Sequence, residues 1–189
     1  MSIGAEVKNA EPAEALDLLA FWLEAGPAMW FAGGDAFDGA CAAYGDLWAR
    51  GAAGECDGWA ATAAGSLALI ILLDQIPRNI FRGTPRQFQT DAKALAVAEA
   101  AVVAGFDRTQ PIATRLFFYL PFEHAEDLAA QERGLDLLRP LGHQDHYYWA
   151  LVHADAIRRF GRFPHRNAVL GRQSTEAERA YLATGGFGA

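Results

Sequence analysis

Between Trp59 and Leu73 the chain carries few polar side chains, Thr62 and Ser66 excepted, and it is rich in alanine. A segment so uniformly apolar has to be enclosed on every side, so the rest of the chain must build a shell around it. Periodicity does not separate a buried helix from a buried strand here. The length of the segment and its Ala and Leu content favour a central helix. Its longest unbroken apolar run, Leu67 to Leu73, is far shorter than the roughly 20 residues that span a membrane. With 189 residues, 52% of them hydrophobic and 21% charged, the chain can supply the shell itself, as one domain over residues 1–189.

The shell reads as helical, without a convincing strand pattern. Pro12 suits a first helical position, with Leu16, Leu19 and Leu23 on one side of the helix it opens. Phe37, Cys41, Tyr44 and Trp48 recur at the spacing of one helical face. Thr84-Pro85-Arg86-Gln87 has the composition of a capped helix start. Phe88, Ala92, Leu95, Val102 and Val103 follow as its buried face, and Gly105 ends it. Pro111 to Tyr119 reads as a short helix and Pro121 as the opening of the next, on which His124 shares a face with Leu128, Gln131 and Leu135. A helix from about Asp145 to Phe160 gathers Trp149, Ile157 and Phe160, and Thr175 with Glu178 makes a capping box before a last short helix. The total is roughly seven to nine helices in an all-α chain.

Charge narrows the functions. The chain has 16 basic and 23 acidic residues, a net charge of −7, unevenly placed. Residues 1–75 carry 2 basic and 11 acidic side chains, whereas 76–189 carry 14 and 12. All basic residues except Lys8 and Lys93 are arginines. The acidity argues against a nucleic-acid partner, which needs a basic face. No membrane partner is expected either. The first residues are acidic and lack the basic region of a signal peptide, and Cys41 and Cys56 form no disulfide framework. The expected location is the cytoplasm; homo-oligomerisation stays open.

Two segments carry concentrated polar chemistry. In the first, Asp74, Gln75, Arg78, Asn79 and Arg82 follow directly on the apolar helix. Polar groups so placed must find partners or stay at a wet pocket. One reading is an internal clamp, in which Asp74 pairs with an arginine and Asn79 satisfies helix-end carbonyls. The other is a half-buried pocket whose guanidinium groups face a ligand. In the second segment, Arg158, Arg159, Arg162, His165, Arg166, Asn167 and Arg172 alternate with Phe, Pro and Gly. Arginine grips carboxylate or phosphate with a planar two-donor fork. The two segments also echo each other: Ile76-Pro77-Arg78-Asn79 resembles Phe163-Pro164-His165-Arg166-Asn167 with one residue inserted. Proline disfavours helical geometry in the residue before it, so each copy should mark a helix end.

His153 falls on the inward face of its helix, the position of a hydrogen-bonded core histidine. His124, beside Glu123 and Glu126, could form a general acid–base pair. Asp91, between Phe88 and Leu95 on an apolar stripe, is a further candidate buried acid. His143 and His146 lie in a loop-like context without a carboxylate partner motif, so no metal site is expected. A phosphate loop, a dinucleotide fingerprint and a nucleophile elbow are all missing, and no cofactor is expected.

Three blocks run in order along the chain: Leu72-Leu73-Asp74-Gln75 with Pro77-Arg78-Asn79 and Arg82-Gly83-Thr84-Pro85; Leu120-Pro121-Phe122-Glu123-His124 with Glu126 and Gln131; and Arg159-Phe160-Gly161-Arg162-Phe163-Pro164-His165-Arg166-Asn167 with Leu170-Gly171-Arg172 and Ser174-Thr175. With Phe21-Trp22, Trp30-Phe31 and Phe37-Asp38 they resemble the bacterial domain-of-unknown-function family 924. The resemblance implies an all-helical, tetratricopeptide-like fold of stacked helical hairpins, and no particular activity. Ile76 stands where that family usually has Phe, and Glu176 where a Pro is common. Ala125 replaces a frequent Ser, which rules out a serine nucleophile at that position.

These observations lead to an expected groove or pocket that binds an anionic small molecule or an acidic peptide. Its expected lining is Asp74, Gln75, Arg78, Asn79 and Arg82 from the first block, Gln131 and His153 from the helices between, and Arg162, His165, Arg166, Asn167 and Arg172 from the last. The alternative is an enzyme in which His124 works with Glu123 or Glu126 on an anionic substrate. A third reading makes all three blocks folding determinants.

Overall fold

A computed structural model of the chain describes residues 11–32 and 34–187; Glu6 and Lys8 of the charge tally lie outside the described residues. Among the described residues there are helices and no strands. The helices are α1 (Ala13–Ala25), α2 (Pro27–Ala32), α3 (Asp35–Cys41), α4 (Gly45–Ala53), α5 (Ala63–Ile70), α6 (Ile76–Ile80), α7 (Asp91–Val103), α8 (Ile112–His124), α9 (Leu128–Leu138), α10 (Gln144–Phe160) and α11 (Glu176–Ala183). Eight of them are eight residues or longer, within the expected number. No helix among the described residues is long and apolar enough to cross a membrane.

The apolar segment is the central helix that its composition requires. Gly65 to Ile70 are all buried, and α5 is enclosed by α1, α7 and α8. Thr62 caps it, accepting from the Gly65 amide at 3.0 Å and donating its own proton to Glu11 at 2.7 Å. From α7 to α10 each helix packs on its successor. Short connections favour such antiparallel neighbours. A smaller apolar cluster, Ala156, Ile157 and Phe163, lies under Tyr181 and Phe187.

Proline does not stop the central helix. The chain passes from α5 through a π-helical turn (Ile71–Gln75) straight into α6, with Pro77 near the start of α6. In the π turn the Ile76 amide reaches back five residues to the Ile71 carbonyl. Pro77 has no amide proton to give the Leu73 carbonyl. Thr90 supplies the missing donor through its hydroxyl, which in turn accepts from the Trp48 indole at 3.2 Å. The helix end expected before Pro77 is therefore a change of hydrogen-bond pattern. The second copy behaves as expected: α10 ends at Phe160, is capped by Gly161 with a φ of 67°, and Pro164 opens a 3-10 turn.

Several local expectations are corrected. α8 runs unbroken through Pro121, because Phe117, Phe118, Leu120 and Phe122 are buried around it and their packing outweighs one lost backbone bond. His124 is therefore the last residue of α8 and does not share a helix with Leu128, Gln131 and Leu135, which belong to α9. On α1 the buried residues are Ala15, Leu18, Leu19 and Trp22, while Leu16 and Leu23 face solvent. Trp22 sets that orientation by packing edge-on to Phe117 at 5.7 Å. The Phe37–Trp48 face is split by a 3-10 turn at Ala42–Tyr44. Thr84 does not cap a helix; its hydroxyl donates to the Phe81 carbonyl, a 3-10 turn follows, and α7 starts only at Asp91. The inner face of α7 is Ala94, Ala98, Ala101 and Val102, with Val103 exposed, since small residues let α7 approach α5 and α8 closely. The Thr175–Glu178 capping box forms with both of its hydrogen bonds.

Close approach at the start of the central helix gives a test. A Cβ on Gly65 would lie 2.1 Å from the Trp59 carbonyl oxygen, whereas one on Gly39 would meet nothing within 4 Å. Gly65→Ala should destabilise the protein by roughly 1–3 kcal/mol in urea denaturation. Gly39→Ala in α3 should be neutral or stabilising by up to about 1 kcal/mol.

Candidate functional site

The two Pro-linked arginines meet at one carboxylate. Arg78, in α6, donates two hydrogen bonds of 3.0 Å to Asp91 at the start of α7. Arg166, in the 3-10 turn after α10, reaches the same carboxylate at 3.3 Å. Arg78 is anchored from behind by the Asp74 carbonyl and, at 3.2 Å, by the Asp74 carboxylate. Arg166 lies against Phe88 and Phe163, its guanidinium carbon 4.3 and 4.4 Å from the two ring centres. Burial and the neighbouring Arg78 pull its pKa down to about 10. Its Nε is buried and has no hydrogen-bond partner among the described residues.

Asp74 also fixes a histidine. It is fully buried, and both carboxylate oxygens lie 2.9 Å from His124 Nδ1. Burial alone would raise the Asp74 pKa, but Arg78, His124 and the Gln75 amide hold the carboxyl below its ordinary range. A carboxylate only accepts, so Nδ1 of His124 carries the proton and Nε2 keeps its lone pair. Burial and Arg78 together keep His124 below the usual histidine pKa, against the pull of Asp74. The expected partners of His124 are thereby replaced. Glu126 instead takes Arg172 at 2.6 and 2.9 Å and the Phe163 amide at 2.7 Å.

Glu123 turns to His153 on α10, with 3.0 Å between Oε1 and Nδ1. Burial and the Asp74 charge push Glu123 up to about 8, and burial with His124 pushes His153 down to about 3. At pH 7 both side chains are therefore uncharged, and their contact is not an ion pair. His153 Nδ1 lies 2.8 Å from the Trp149 carbonyl, so Nδ1 is the donor and the lone pair of the neutral ring sits on Nε2. His165 is pushed down to about 4, mainly by burial and Arg166, and its buried Nδ1 has no partner among the described residues.

These groups face an open cleft of about 1230 Å³. Of the expected site residues, Gln75, Arg78, Asn79, Arg82, Glu123, His124, His153, His165 and Arg166 line it. Asp74 stands behind His124 and positions it. Gln131 donates to the Glu123 and Ala125 carbonyls at 2.6 and 2.8 Å and so holds the turn that carries His124. Arg162, Asn167 and Arg172 do not line the cleft. Arg162 grips Glu178 at 2.6 and 2.8 Å, Asn167 bonds Ser174 and Glu178, and Arg172 grips Glu126. Each serves the clamp reading, because its carboxylate or polar partner already uses its donors.

An aromatic wall completes the cleft: Trp30 and Phe31 from α2, Phe88, Tyr148 and Trp149 from α10, and Phe187. Sequence reasoning missed it. The one signal was the run Tyr147-Tyr148-Trp149, since three consecutive helical positions do not share one buried face. No group of three or more His, Cys, Asp or Glu side chains among the described residues could hold a metal ion.

Fold and cleft together define an all-helical protein with paired guanidiniums and neutral imidazoles at one opening. The chain belongs to the family described as "Bacterial protein of unknown function (DUF924)", whose model matches residues 18–186. A solved structure, "Structure of Protein of Unknown Function ATU0120 from Agrobacterium tumefaciens", is similar to it, with 47% identity and a TM-score of 0.88 over 91% of this chain and 98% of that one. No curated protein matches the chain.

The Glu123 proton has a measurable consequence. Its folded pKa lies above the carboxylate's ordinary value of 4.5, so the native state holds a proton that the unfolded state has lost. Stability from this group is complete below the ordinary value and drains away as pH rises towards about 8. Glu123→Gln, which mimics the protonated form, should therefore gain on the wild type by roughly 1 kcal/mol per pH unit between pH 5 and 8. Thermal or urea unfolding across that range checks this; parallel curves would mean that Glu123 is ionised in the fold.

Proposed function

We propose that the cleft binds an anionic group, a carboxylate or a phosphate, on a small molecule or an acidic peptide. The observation that carries this reading is the state of Arg166. It is a buried cation with one 3.3 Å contact to a carboxylate that Arg78 already grips twice, and its Nε is left without a partner. A buried charge in that condition is costly. An anion entering the cleft would supply the missing acceptor with a charge-assisted hydrogen bond.

Inorganic phosphate and an acidic peptide, each titrated at constant ionic strength, test the reading. A bound anion at about 100 times its Kd should stabilise the fold by about 2.7 kcal/mol, a rise in Tm of roughly 5–10 °C. Arg166→Ala should abolish the shift while remaining folded, because Arg78 still neutralises Asp91. Equal shifts in both proteins, or none in either, would refute the proposal.

A second reading, proton transfer at His124, is supported by one observation. The buried Asp74 holds the ring so that the lone pair on Nε2 is available on a side chain that lines the cleft. An aspartate-oriented imidazole of this kind serves as a general base where a substrate proton comes within reach. An anion beside Nε2 favours the imidazolium form. Saturating phosphate should therefore shift the His124 NMR titration upward. An unmoved titration places the anion away from His124 and removes the catalytic reading without touching the binding one.

A further inference from the structure

Phe187 enters the cleft from the segment that follows α11, not from one of the packed helical walls. Its ring lies among four aromatic neighbours, with centroids 4.1 Å from His153, 4.8 Å from His165, 6.1 Å from Phe163 and 6.3 Å from Trp149. The contact with His165 is edge-on at 86° and that with Phe163 is close to it at 69°. These are the arrangements that aromatic quadrupoles favour. The segment is held by a few bonds: the Phe187 amide donates to the Tyr181 hydroxyl at 3.0 Å, the Gly186 amide to the Tyr181 carbonyl at 2.9 Å, and the His165 ring hydrogen-bonds the Phe187 backbone.

This seat adjoins the unsatisfied cation. Phe163, one of its walls, is the ring on which the Arg166 guanidinium stacks at 4.4 Å. His165, another wall, has a buried Nδ1 without a partner. Beyond the seat, the cleft is rimmed by Phe31 and Tyr148, 55% and 59% exposed, and Trp149, 50% exposed, joins that rim to the seat. A bare phosphate or carboxylate would use none of this aromatic surface.

We infer that the seat filled by Phe187 is a ring-binding subsite, and that the ligand of the cleft is an anion carrying a planar aromatic ring. The ligand's anionic group meets Arg166, and its ring takes the place of Phe187, which withdraws. This inference rests on the anion-binding reading and adds to it the chemical class of the ligand. Phosphate and carboxylate share the required charge, so both are probed.

Calorimetric titrations of the wild type, Phe187→Ala and a chain ended after Thr184 test it, with inorganic phosphate, phenyl phosphate, cyclohexyl phosphate and phenylacetate as probes. Circular dichroism confirms that each variant keeps its helices, and agreement of the two variants guards against a folding defect in one. With the seat vacated, phenyl phosphate or phenylacetate should bind roughly tenfold tighter or better than to the wild type. Whichever of the two gains identifies the anion. Cyclohexyl phosphate, of similar bulk but not planar, should gain less, and inorganic phosphate should not change. If phosphate binds through Arg166 but neither ring-bearing probe gains in the variants, the ring inference is overturned and the anion reading stands. An equal gain for cyclohexyl phosphate shows an apolar seat without preference for planarity and overturns it as well. If no probe binds any of the three proteins, the anion reading falls and this inference falls with it.

Discussion

Asp91 receives two guanidinium groups from segments far apart in the sequence, Arg78 at 3.0 Å and Arg166 at 3.3 Å. Without that carboxylate, two buried cations would face each other across the head of the cleft. Asp74 makes the cluster electrically tolerable by taking the other side of Arg78. One carboxylate therefore ties α6 and the turn after α10 to the start of α7. It does so incompletely, because the fork of Arg78 uses both oxygens and leaves Arg166 with a single contact. The asymmetry separates a structural arginine from one that still has donors to offer.

The same device is built twice. In the first copy, Asn79 accepts from Arg82 at 3.2 Å, and Arg82 grips Asp38 at 2.8 and 2.9 Å. In the second, Asn167 accepts from Arg172 at 2.9 Å, and Arg172 grips Glu126 at 2.6 and 2.9 Å. Each Pro-linked segment thus sends its arginine to Asp91 and uses its asparagine to steer a second arginine onto a different carboxylate. The clamp and pocket readings of these residues are not rivals. Arg82, Arg162 and Arg172 serve the clamp, and the clamp is what presents Arg166 to the cleft.

What the sequence made legible follows from chemistry that acts locally. The enclosed helix was visible because fifteen nearly apolar residues have no other place to go. The Thr175–Glu178 capping box was visible because its bonds span three residues. Misreadings arose where a long-range partner decides the outcome. Pro121 sits inside α8 because buried phenylalanines on α8 outweigh its local cost. Pro77 is tolerated because Thr90, thirteen residues on, satisfies the carbonyl that the proline leaves open. His124 stood beside two glutamates in sequence, yet it bonds Asp74 at the π turn, which no spacing rule connects to it. Half of the cleft was legible as arginine and histidine in unusual company; its aromatic wall was not, since Trp30-Phe31, Tyr148-Trp149 and Phe187 lie far apart in the chain and no shared spacing links them.

The protonation states bear on how a chain with a net charge of −7 would accommodate the anion proposed for its cleft. Burial keeps His153 and His165 neutral at pH 7, with pKa values near 3 and 4, and it holds Glu123 protonated up to about 8. No ionised carboxylate of Glu123 therefore opposes an anion from the cleft wall at neutral pH, and no imidazolium competes with arginine for it. On the proposed reading, recognition would fall to guanidinium groups, whose charge does not vary across this range. As pH rises through 8, Glu123 ionises and adds a negative charge to the same wall. The burial that destabilises that ionised carboxylate thus also keeps one negative charge off the cleft wall near neutrality, as the proposed anion would require.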